Sequence, residues 1–203
     1  MAEFKITNPE GNIINIVDSV KIGTNCEISF PLTPRQTPSQ NNHITLERNA
    51  NLRFFRIIIR GQNNKVSIGE NTSFTGTIMI EGSNLNVMVG NSCTINGLFI
   101  TCRDQDVIIG NDCLISTDVK IRSSDSHKIF ELDGTEQINK SINPISIGEH
   151  VWIGQDVFIG KNSSIAKGSI VAARATVTKK IETENCIIAG YSEILKTGIR
   201  WEK

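Results

Sequence analysis

One histidine, His127, lies where the sequence pattern calls for an aliphatic residue. Ile109, Ile115 and Ile121 recur at six-residue intervals, and the next interval ends at His127. An imidazole is a poor core side chain and a segment without this spacing follows it, so we expect the ring to face solvent where a loop begins. A neutral imidazole can take the proton of a hydroxyl group. His127 is therefore a candidate general base, with a structural loop histidine as the alternative.

Two further residues depart from the same pattern. Asp125 occupies a position that carries small side chains in other repeats. Residues 125 and 127 share a face if the segment is a strand, so Asp125 either orients the His127 ring or bonds the backbone where the loop departs. Trp152 is in a position that should face outward, which indicates a contact surface. His43 and His150 match no such pattern and are predicted to be surface residues.

The elements that position these residues come from a six-residue repeat, which is uninterrupted between residues 147 and 180. Its aliphatic positions are Ile147, Ile153, Ile159, Ile165, Val171 and Val177. An α-helix cannot keep a six-residue repeat on one face, whereas a strand of period two can. Short strands joined by tight bends then stack the same residue types in columns. The repeat therefore predicts a solenoid.

Earlier repeats are less regular. We place equivalent positions at Ile22, Leu46, Ile68, Val89 and Ile109, which are 24, 22, 21 and 20 residues apart. Each early coil therefore carries extra residues as a bulge or corner loop, and the proline-rich segment 30–43 is predicted to be such a loop. The predicted organisation is a single β-helix domain at 1–190, with irregular coils at 20–126, a loop at 127–146 and regular coils at 147–182, and a C-terminal tail at 191–203 that caps the last coil.

Composition excludes several classes of protein. Lysine plus arginine equals aspartate plus glutamate, at 21 each, which argues against a nucleic-acid or membrane partner. The first residues lack a signal-peptide pattern and no apolar run is long enough for a membrane span, so we expect a cytoplasmic protein. Aromatic residues make up only 5%, as expected for a coil filled by Ile and Val. The five cysteines show no metal-ligand spacing, so we expect free thiols and no metal site.

The run from SSDSH at 123–127 through VWIG at 151–154 to VTKK at 177–180 resembles the hexapeptide-repeat acyltransferases. The similarity is to the branch that O-acetylates sugars of capsules and O-antigens. It is strong over residues 105–195, and the earlier coils match only through the repeat. The resemblance implies an all-β fold, a left-handed parallel β-helix, whose handedness the spacing alone does not give. It also implies a homotrimer, acetyl-CoA as co-substrate and sites between neighbouring subunits.

The resemblance assigns roles to individual residues. His127 matches the catalytic histidine, which directs the acceptor hydroxyl onto the thioester carbonyl. Trp152 matches a tryptophan that lines the acetyl-transfer site, and the backbone N–H of Gln155 is our candidate donor to the oxyanion. An asparagine that the family often carries on the preceding coil has no counterpart in GLFITCRD at 97–104.

The binding residues for coenzyme A are predicted from small side chains and positive charge. Three alanines are expected on successive coils, where they let the pantetheine arm run along the helix edge: Ala166, Ala172 and Ala173. The next polar residues are Thr178, Lys179 and Lys180. The lysine pair is a candidate partner for the phosphates, and Lys196 in the tail is a more distant one.

The predicted function is therefore transfer of an acetyl group from acetyl-CoA to a hydroxyl group of a saccharide, with His127 as general base. The saccharide is expected to be a capsule, O-antigen or sialic-acid-type glycan. No cysteine or serine pairs with His127 as a nucleophile, so direct transfer in a ternary complex is favoured. The alternatives are an N-acetyltransferase acting on an amino-sugar nucleotide and a non-enzymatic β-helix scaffold. A zinc-dependent hydratase of this fold would need converging histidines, and the chain has only three scattered ones.

Overall fold

The computed structural model describes residues 3–203, which form 22 strands and no helix. The strands stack as a parallel β-solenoid of about nine turns. Each full turn passes over three faces of the solenoid, which we number 1 to 3 in the order in which the chain crosses them. The predicted all-β fold class, a left-handed parallel β-helix of hexapeptide repeats, is confirmed.

The strands are distributed over the three faces as follows. Face 1 is an eight-stranded parallel sheet made of β2 (Ile13–Ile16), β5 (His43–Leu46), β7 (Lys65–Ile68), β9 (Asn86–Val89), β11 (Val107–Ile109), β14 (Ile145–Ile147), β17 (Ser164–Ile165) and β20 (Lys180–Ile181). Face 2 holds β3 (Lys21–Ile22), β12 (Leu114–Ile115), β15 (Trp152–Ile153), β18 (Ile170–Val171), β21 (Ile187–Ala189) and β22 (Glu193–Lys196). Face 3 holds β1 (Lys5–Thr7), β4 (Glu27–Ser29), β13 (Val119–Arg122), β16 (Phe158–Ile159) and β19 (Thr176–Val177). Three longer strands bend from face 2 onto face 3, namely β6 (Asn51–Arg60), β8 (Ser73–Glu81) and β10 (Thr94–Cys102).

The aliphatic repeat forms the core because each repeat position points inward on every face. On face 1, Ile147 pairs with Ile165 and Ile165 pairs with Ile181, so the three side chains form one column. All three are buried. Neighbouring strands lie about 4.8 Å apart, so each column is a continuous stack of side chains removed from water. The five cysteines are buried in this core as free thiols.

The bends between faces use residues that tolerate a left-handed backbone. We name the three corners by the faces they join: the 1/2 corner at His150, the 2/3 corner at Asp156 and the 3/1 corner at Asn162, with φ of 53°, 58° and 59°. Asn and Asp adopt this conformation more readily than other non-glycine residues. The bends also bond to the coil below, as when the His150 N–H donates to the Asn111 carbonyl (2.8 Å).

The predicted alignment of equivalent positions is correct for every early coil except the first. Leu46, Ile68, Val89 and Ile109 are aligned on face 1 by successive strand pairs. Ile22, however, pairs with Leu52 on face 2, and the residue aligned with Leu46 is Ile16. The assignment of Ile22 was wrong by one hexad because all three faces carry nearly the same local pattern. Strands β1 and β2 also pair in parallel with β4 and β5, so the solenoid includes these first strands.

The C-terminal tail follows two paths in turn. Strand β22 pairs antiparallel with β21 and lies at the edge of the last coil. The chain then returns along the 1/2 corner, where the Ile199 N–H donates to the Asn185 carbonyl (2.9 Å) and the Lys203 ammonium donates to the Ser92 carbonyl (2.6 Å). The tail therefore contacts several coils besides the last. Within residues 3–203, no helix has the length and hydropathy needed to cross a membrane.

Candidate functional site

A long excursion leaves the solenoid after β13 and returns at β14, and its two ends meet at the 3/1 corner. Before leaving, the chain is fixed to the coil below: the Ser123 hydroxyl donates to the Arg103 carbonyl (2.6 Å), and Ser124 donates to the Asp104 carboxylate. A hollow of about 300 Å³ lies between the excursion and that coil. His127 lines this hollow, as do Arg103 and Asn139.

His127 is exposed to solvent, in the position where the repeat breaks off. Its backbone carbonyl accepts a hydrogen bond from the Asn139 side chain (2.8 Å). This contact joins the outgoing and returning halves of the excursion beside the ring. The backbone of His127 is thus held at the edge of the hollow, and the exposed ring is accessible to a ligand.

Asp125 contacts the next coil. Its carboxylate accepts hydrogen bonds from the Lys161 ammonium and from the Asn139 amide (2.9 Å). The hydrogen bond to Lys161 holds the pKa of Asp125 below its usual range. The strand argument for a shared face with His127 was wrong, because β13 ends at Arg122 and Ser126 has a φ of 66° that breaks the period of two. The geometry is that of an anchor for the excursion.

The returning half of the excursion is held by the corner of the coil above. The Lys161 ammonium also donates to the Asn139 carbonyl (2.6 Å). The Asn162 side chain accepts from the backbone N–H groups of Ile142 (2.8 Å) and Asn143 (3.0 Å). The sequence reasoning missed Lys161, Asn162 and Asn139. The signal was available for the first two, since polar residues at a corner one coil above an insertion are placed to bond it.

Trp152 lies on a different face of the solenoid from His127. It stands on face 2 with its side chain outward, 40% exposed, in register with Leu114 and Ile170. Its ring lies 6.0 Å from the ring of Trp201 in the tail, centroid to centroid, at an angle of 46°. The hollow that His127 lines is at the 3/1 corner, so one chain does not bring His127 and Trp152 together.

His150 is at the surface, with its side chain 38% exposed, and it is also part of a packed cluster that the sequence did not predict. Its ring stacks on that of Trp201, with centroids 4.0 Å apart and planes at 11°. Its Nδ1 lies 2.6 Å from the Asp112 carboxylate, and the Trp201 indole N–H donates to the His150 carbonyl (3.0 Å). The hydrogen bond with His150 lowers the pKa of Asp112. The sequence showed no link between residues 150 and 201 because only the returning tail brings them together.

The residues predicted to bind coenzyme A are spread over three corners. One coil uses three hexads, so Ala166 and the pair Ala172–Ala173 lie on the same coil at two corners, and their placement on successive coils was wrong. Gln155 and Ala173 do meet, at the 2/3 corner, beside a hollow of about 300 Å³. Ala166 follows β17 near the 1/2 corner. In one chain these residues do not form a single channel.

Thr178, Lys179 and Lys180 lie near the 3/1 corner, above the excursion, and all three are exposed. Thr178 lines a small hollow of about 200 Å³ together with Asp125 and Lys161. The Lys180 ammonium donates to the Asn143 side chain (3.3 Å), and Lys179 lines the open surface next to it. In the part of the chain that the structure describes, no group of three His, Cys, Asp or Glu side chains is placed to hold a metal ion.

A parallel β-solenoid of hexapeptide repeats, interrupted by a long corner excursion, defines the class of hexapeptide-repeat β-helix proteins. The crystal structure of the polySia specific acetyltransferase NeuO is 30% identical to the chain with a TM-score of 0.82, and covers 99% of this chain and 88% of its own. The polysialic acid O-acetyltransferase OatWY shares the fold, with a TM-score of 0.88 at 24% identity over 100% of this chain and 92% of its own. Its 30% identity to NeuO, over nearly its whole length, shows that the chain belongs to the hexapeptide-repeat acyltransferases.

Two curated relatives are also similar in sequence. The polysialic acid O-acetyltransferase of Escherichia coli O1:K1 / APEC is 36% identical over 140 residues, which are 68% of this chain and 45% of the relative. That of Neisseria meningitidis is 28% identical over 56% of this chain and 63% of the relative. The chain thus spans less than two thirds of the length of either relative. No family model matches the chain.

Proposed function

We propose that the protein transfers an acetyl group from acetyl-CoA to a hydroxyl group of a capsular saccharide, with His127 as general base. The observation that carries the proposal is the exposed His127 imidazole at the edge of an open hollow, in the position where the coil gives way to the excursion. Relatives named polysialic acid O-acetyltransferases support a saccharide of the sialic-acid type as acceptor.

The contribution of His127 is acid–base chemistry at the acceptor. Its neutral ring takes the proton from the sugar hydroxyl as the oxygen attacks the acyl carbon, which avoids a free alkoxide. The proton then passes to the departing thiolate. Asp125, Lys161 and Asn139 hold the backbone around the ring, so the imidazole is positioned before the acceptor arrives. Stabilisation of the oxyanion is assigned to the Gln155 backbone N–H of an adjoining copy.

The donor is proposed to bind between two copies of the chain. Acetyl-CoA supplies a thioester whose carbonyl carbon is open to attack. Within one copy, Trp152 and the Gln155–Ala173 hollow are on face 2 and at the 2/3 corner, away from His127. A second copy that places this surface against the 3/1 corner joins the two halves of the site, and Lys179 and Lys180 then offer positive charge to the phosphates.

Replacing His127 by alanine tests the proposal. We expect His127→Ala to lower kcat by about 10²–10⁴, the usual contribution of a positioned proton acceptor. Binding of acetyl-CoA should be nearly unchanged, because the ring acts on the hydroxyl group and not on the carrier. Turnover is measured as release of free coenzyme A with polysialic acid as acceptor, and the acetylated position is read by NMR.

The matched control is His43→Ala, because His43 is also exposed but lies on β5 in face 1, apart from the excursion. It should keep wild-type turnover. A His127→Ala protein that retained more than about a tenth of the wild-type kcat would show that the histidine is structural and would overturn the mechanism.

A further inference from the structure

A second hollow continues from the His127 site along the 3/1 corner toward the N-terminal coils. It measures about 520 Å³ and lies between the proline-rich loop and the corners of three coils. Arg103 lines both this hollow and the one that contains His127, so the two hollows adjoin at this residue. We call this second hollow the arginine groove; its charged residues are Arg35, Arg60, Glu81 and Arg103.

The groove carries more positive than negative charge. Arg60 and Glu81 are register partners on adjacent strands, and Arg103 directly follows Cys102, the residue above Ile80. The Glu81 carboxylate lies 3.0 Å from the Arg60 guanidinium and 3.8 Å from that of Arg103. One glutamate thus serves two arginines, with Arg35 on the opposite wall as a third, in a chain whose formal net charge is zero.

The walls and floor of the groove are well defined by local bonds. The loop that carries Arg35 is closed by a hydrogen bond from the Thr33 N–H to the Thr37 carbonyl (2.9 Å). The floor includes Gly61, whose φ is 149°; a Cβ there would lie 1.7 Å from the Gly82 carbonyl oxygen. Glycine is required there because the corners of two successive coils approach each other closely, and it adds no side chain to the floor of the groove.

We infer that the arginine groove binds the carboxylate groups of an anionic saccharide chain, whose acetylated residue lies at His127. The guanidinium group presents a planar pair of donors that matches a carboxylate. Successive coils are about 4.8 Å apart, so Arg60 lies roughly 10 Å below Arg103 and the groove is long enough for more than one sugar residue. This inference rests on the proposed function. It adds that the acceptor is negatively charged and that its chain runs from His127 along the groove toward the N-terminal coils.

Glu81 allows a test in which two kinds of substitution should change the affinity for polysialic acid in opposite directions. A ligand carboxylate must compete with Glu81 for Arg60 and Arg103. Arg60→Gln should therefore weaken binding of polysialic acid about fivefold and Arg60→Gln with Arg103→Gln about tenfold or more, whereas Glu81→Gln should tighten it several-fold. Binding is measured by calorimetry without donor, so the result does not depend on turnover. Arg48→Gln is the matched control, since Arg48 pairs with Glu70 (2.9 Å) at another corner.

The outcomes separate this inference from the proposed function. Binding that weakens as predicted in a protein without transferase activity would support the groove and contradict the function. Equal affinity of the Arg60→Gln/Arg103→Gln and Arg48→Gln proteins, or no binding by the wild type, would overturn the groove. The groove would also be overturned if the arginine variants lost affinity for acetyl-CoA instead of polysialic acid. Competition by polyglutamate of equal charge that is as strong as that of polysialic acid would overturn it too. Thermal unfolding of each variant confirms that the fold is retained.

Discussion

The pair formed by Asp125 and Lys161 shows how a single contact fixes the position of the candidate base. Asp125 lies two residues before His127, and Lys161 belongs to the coil above. Asn139 bonds both the Asp125 carboxylate and the His127 carbonyl, so the three side chains close the base of the excursion. The contact acts on the backbone around His127 and therefore affects the ring indirectly.

We expect Asp125→Asn and Lys161→Met to lower kcat by similar factors, about tenfold, because each removes the same contact. The double variant should lose little more than either single one. Limited proteolysis should cut segment 127–144 faster in all three proteins, and their melting temperatures should differ little from that of the wild type. A loss of kcat in Asp125→Asn that far exceeds the loss in Lys161→Met would assign Asp125 to orienting the ring instead.

The pH dependence of the anchor follows from the lowered pKa of Asp125. A carboxylate with a lowered pKa contributes stability above its ordinary pKa, near 4, and loses it as the pH falls through the lowered value. The contact therefore persists over the neutral and mildly acidic range. A fall in turnover between about pH 7 and 5 would therefore not come from loss of the anchor.

Some of the missed residues were within reach of the sequence and others were not. Arg60, Glu81 and Arg103 are 21 and 22 residues apart, which matches the spacing of the early coils and predicts their alignment. Asn139 has no such register, because it belongs to an excursion that interrupts the repeat. The spacing of the repeats predicts where a side chain lies on a coil. It does not predict where a side chain lies in a loop, because the path of a loop depends on its contacts.

The tail is the element whose role differs most from that of a simple end cap. After β22 it packs Trp201 against His150 and Trp152, and Trp201 is only 7% exposed. Trp152 is therefore held from one side by the last residues of the tail. The sequence predicted that the tail leaves the repeat, but the aromatic contact joins residues about 50 positions apart and no periodicity encodes it.

Replacing Trp201 by alanine should release the end of the tail. The change removes the stacking on His150 and the hydrogen bond to its carbonyl, so we expect the free energy of unfolding to fall by about 2–3 kcal/mol. Denaturant unfolding gives this value, and hydrogen exchange should show faster opening of residues 197–203. Tyr191→Ala is the control, because Tyr191 is also an aromatic residue of the tail but is 82% exposed. Equal stability of the two variants would contradict the packing role of Trp201.

The regular coils were the part of the fold that the sequence predicted best. Between 147 and 177 each aliphatic position is buried and paired in the expected column, at a spacing of 18 residues. The last coil is shorter, because Ile165 pairs with Ile181, which is 16 residues further on. The errors arose where one hexad looks like another: Ile22 was placed one face away, and Ala166 and Ala172 were assigned to different coils. One hexad forms one face of the solenoid, and three hexads form one coil. Insertions change the number of residues in a coil, so the coil to which a residue belongs is harder to predict than its face.

The fold separates His127 and Trp152, the two side chains that the sequence pointed to most strongly as active-site residues. His127 is at the 3/1 corner and Trp152 is on face 2, which carries an outward apolar column of Leu114, Trp152 and Ile170. The excursion also exposes apolar side chains, among them Leu132, which is 99% exposed. Apolar surface of this kind is typical of a face that another copy covers. We therefore propose that face 2 of one copy meets the excursion of the next, an arrangement that closes as a ring, and the family resemblance implies a ring of three.

Subunit complementation tests this arrangement. His127→Ala and Trp152→Ala should each be nearly inactive alone, yet a co-expressed mixture should regain roughly a quarter of wild-type turnover, because a mixed trimer keeps about one intact site. Light scattering should report a trimer for all preparations. The single variants mixed after separate purification provide the control, since subunits that do not exchange cannot combine their intact residues. An inactive co-expressed mixture that still forms mixed trimers would mean that both residues act within one copy, and a fully active monomer would exclude the shared site altogether.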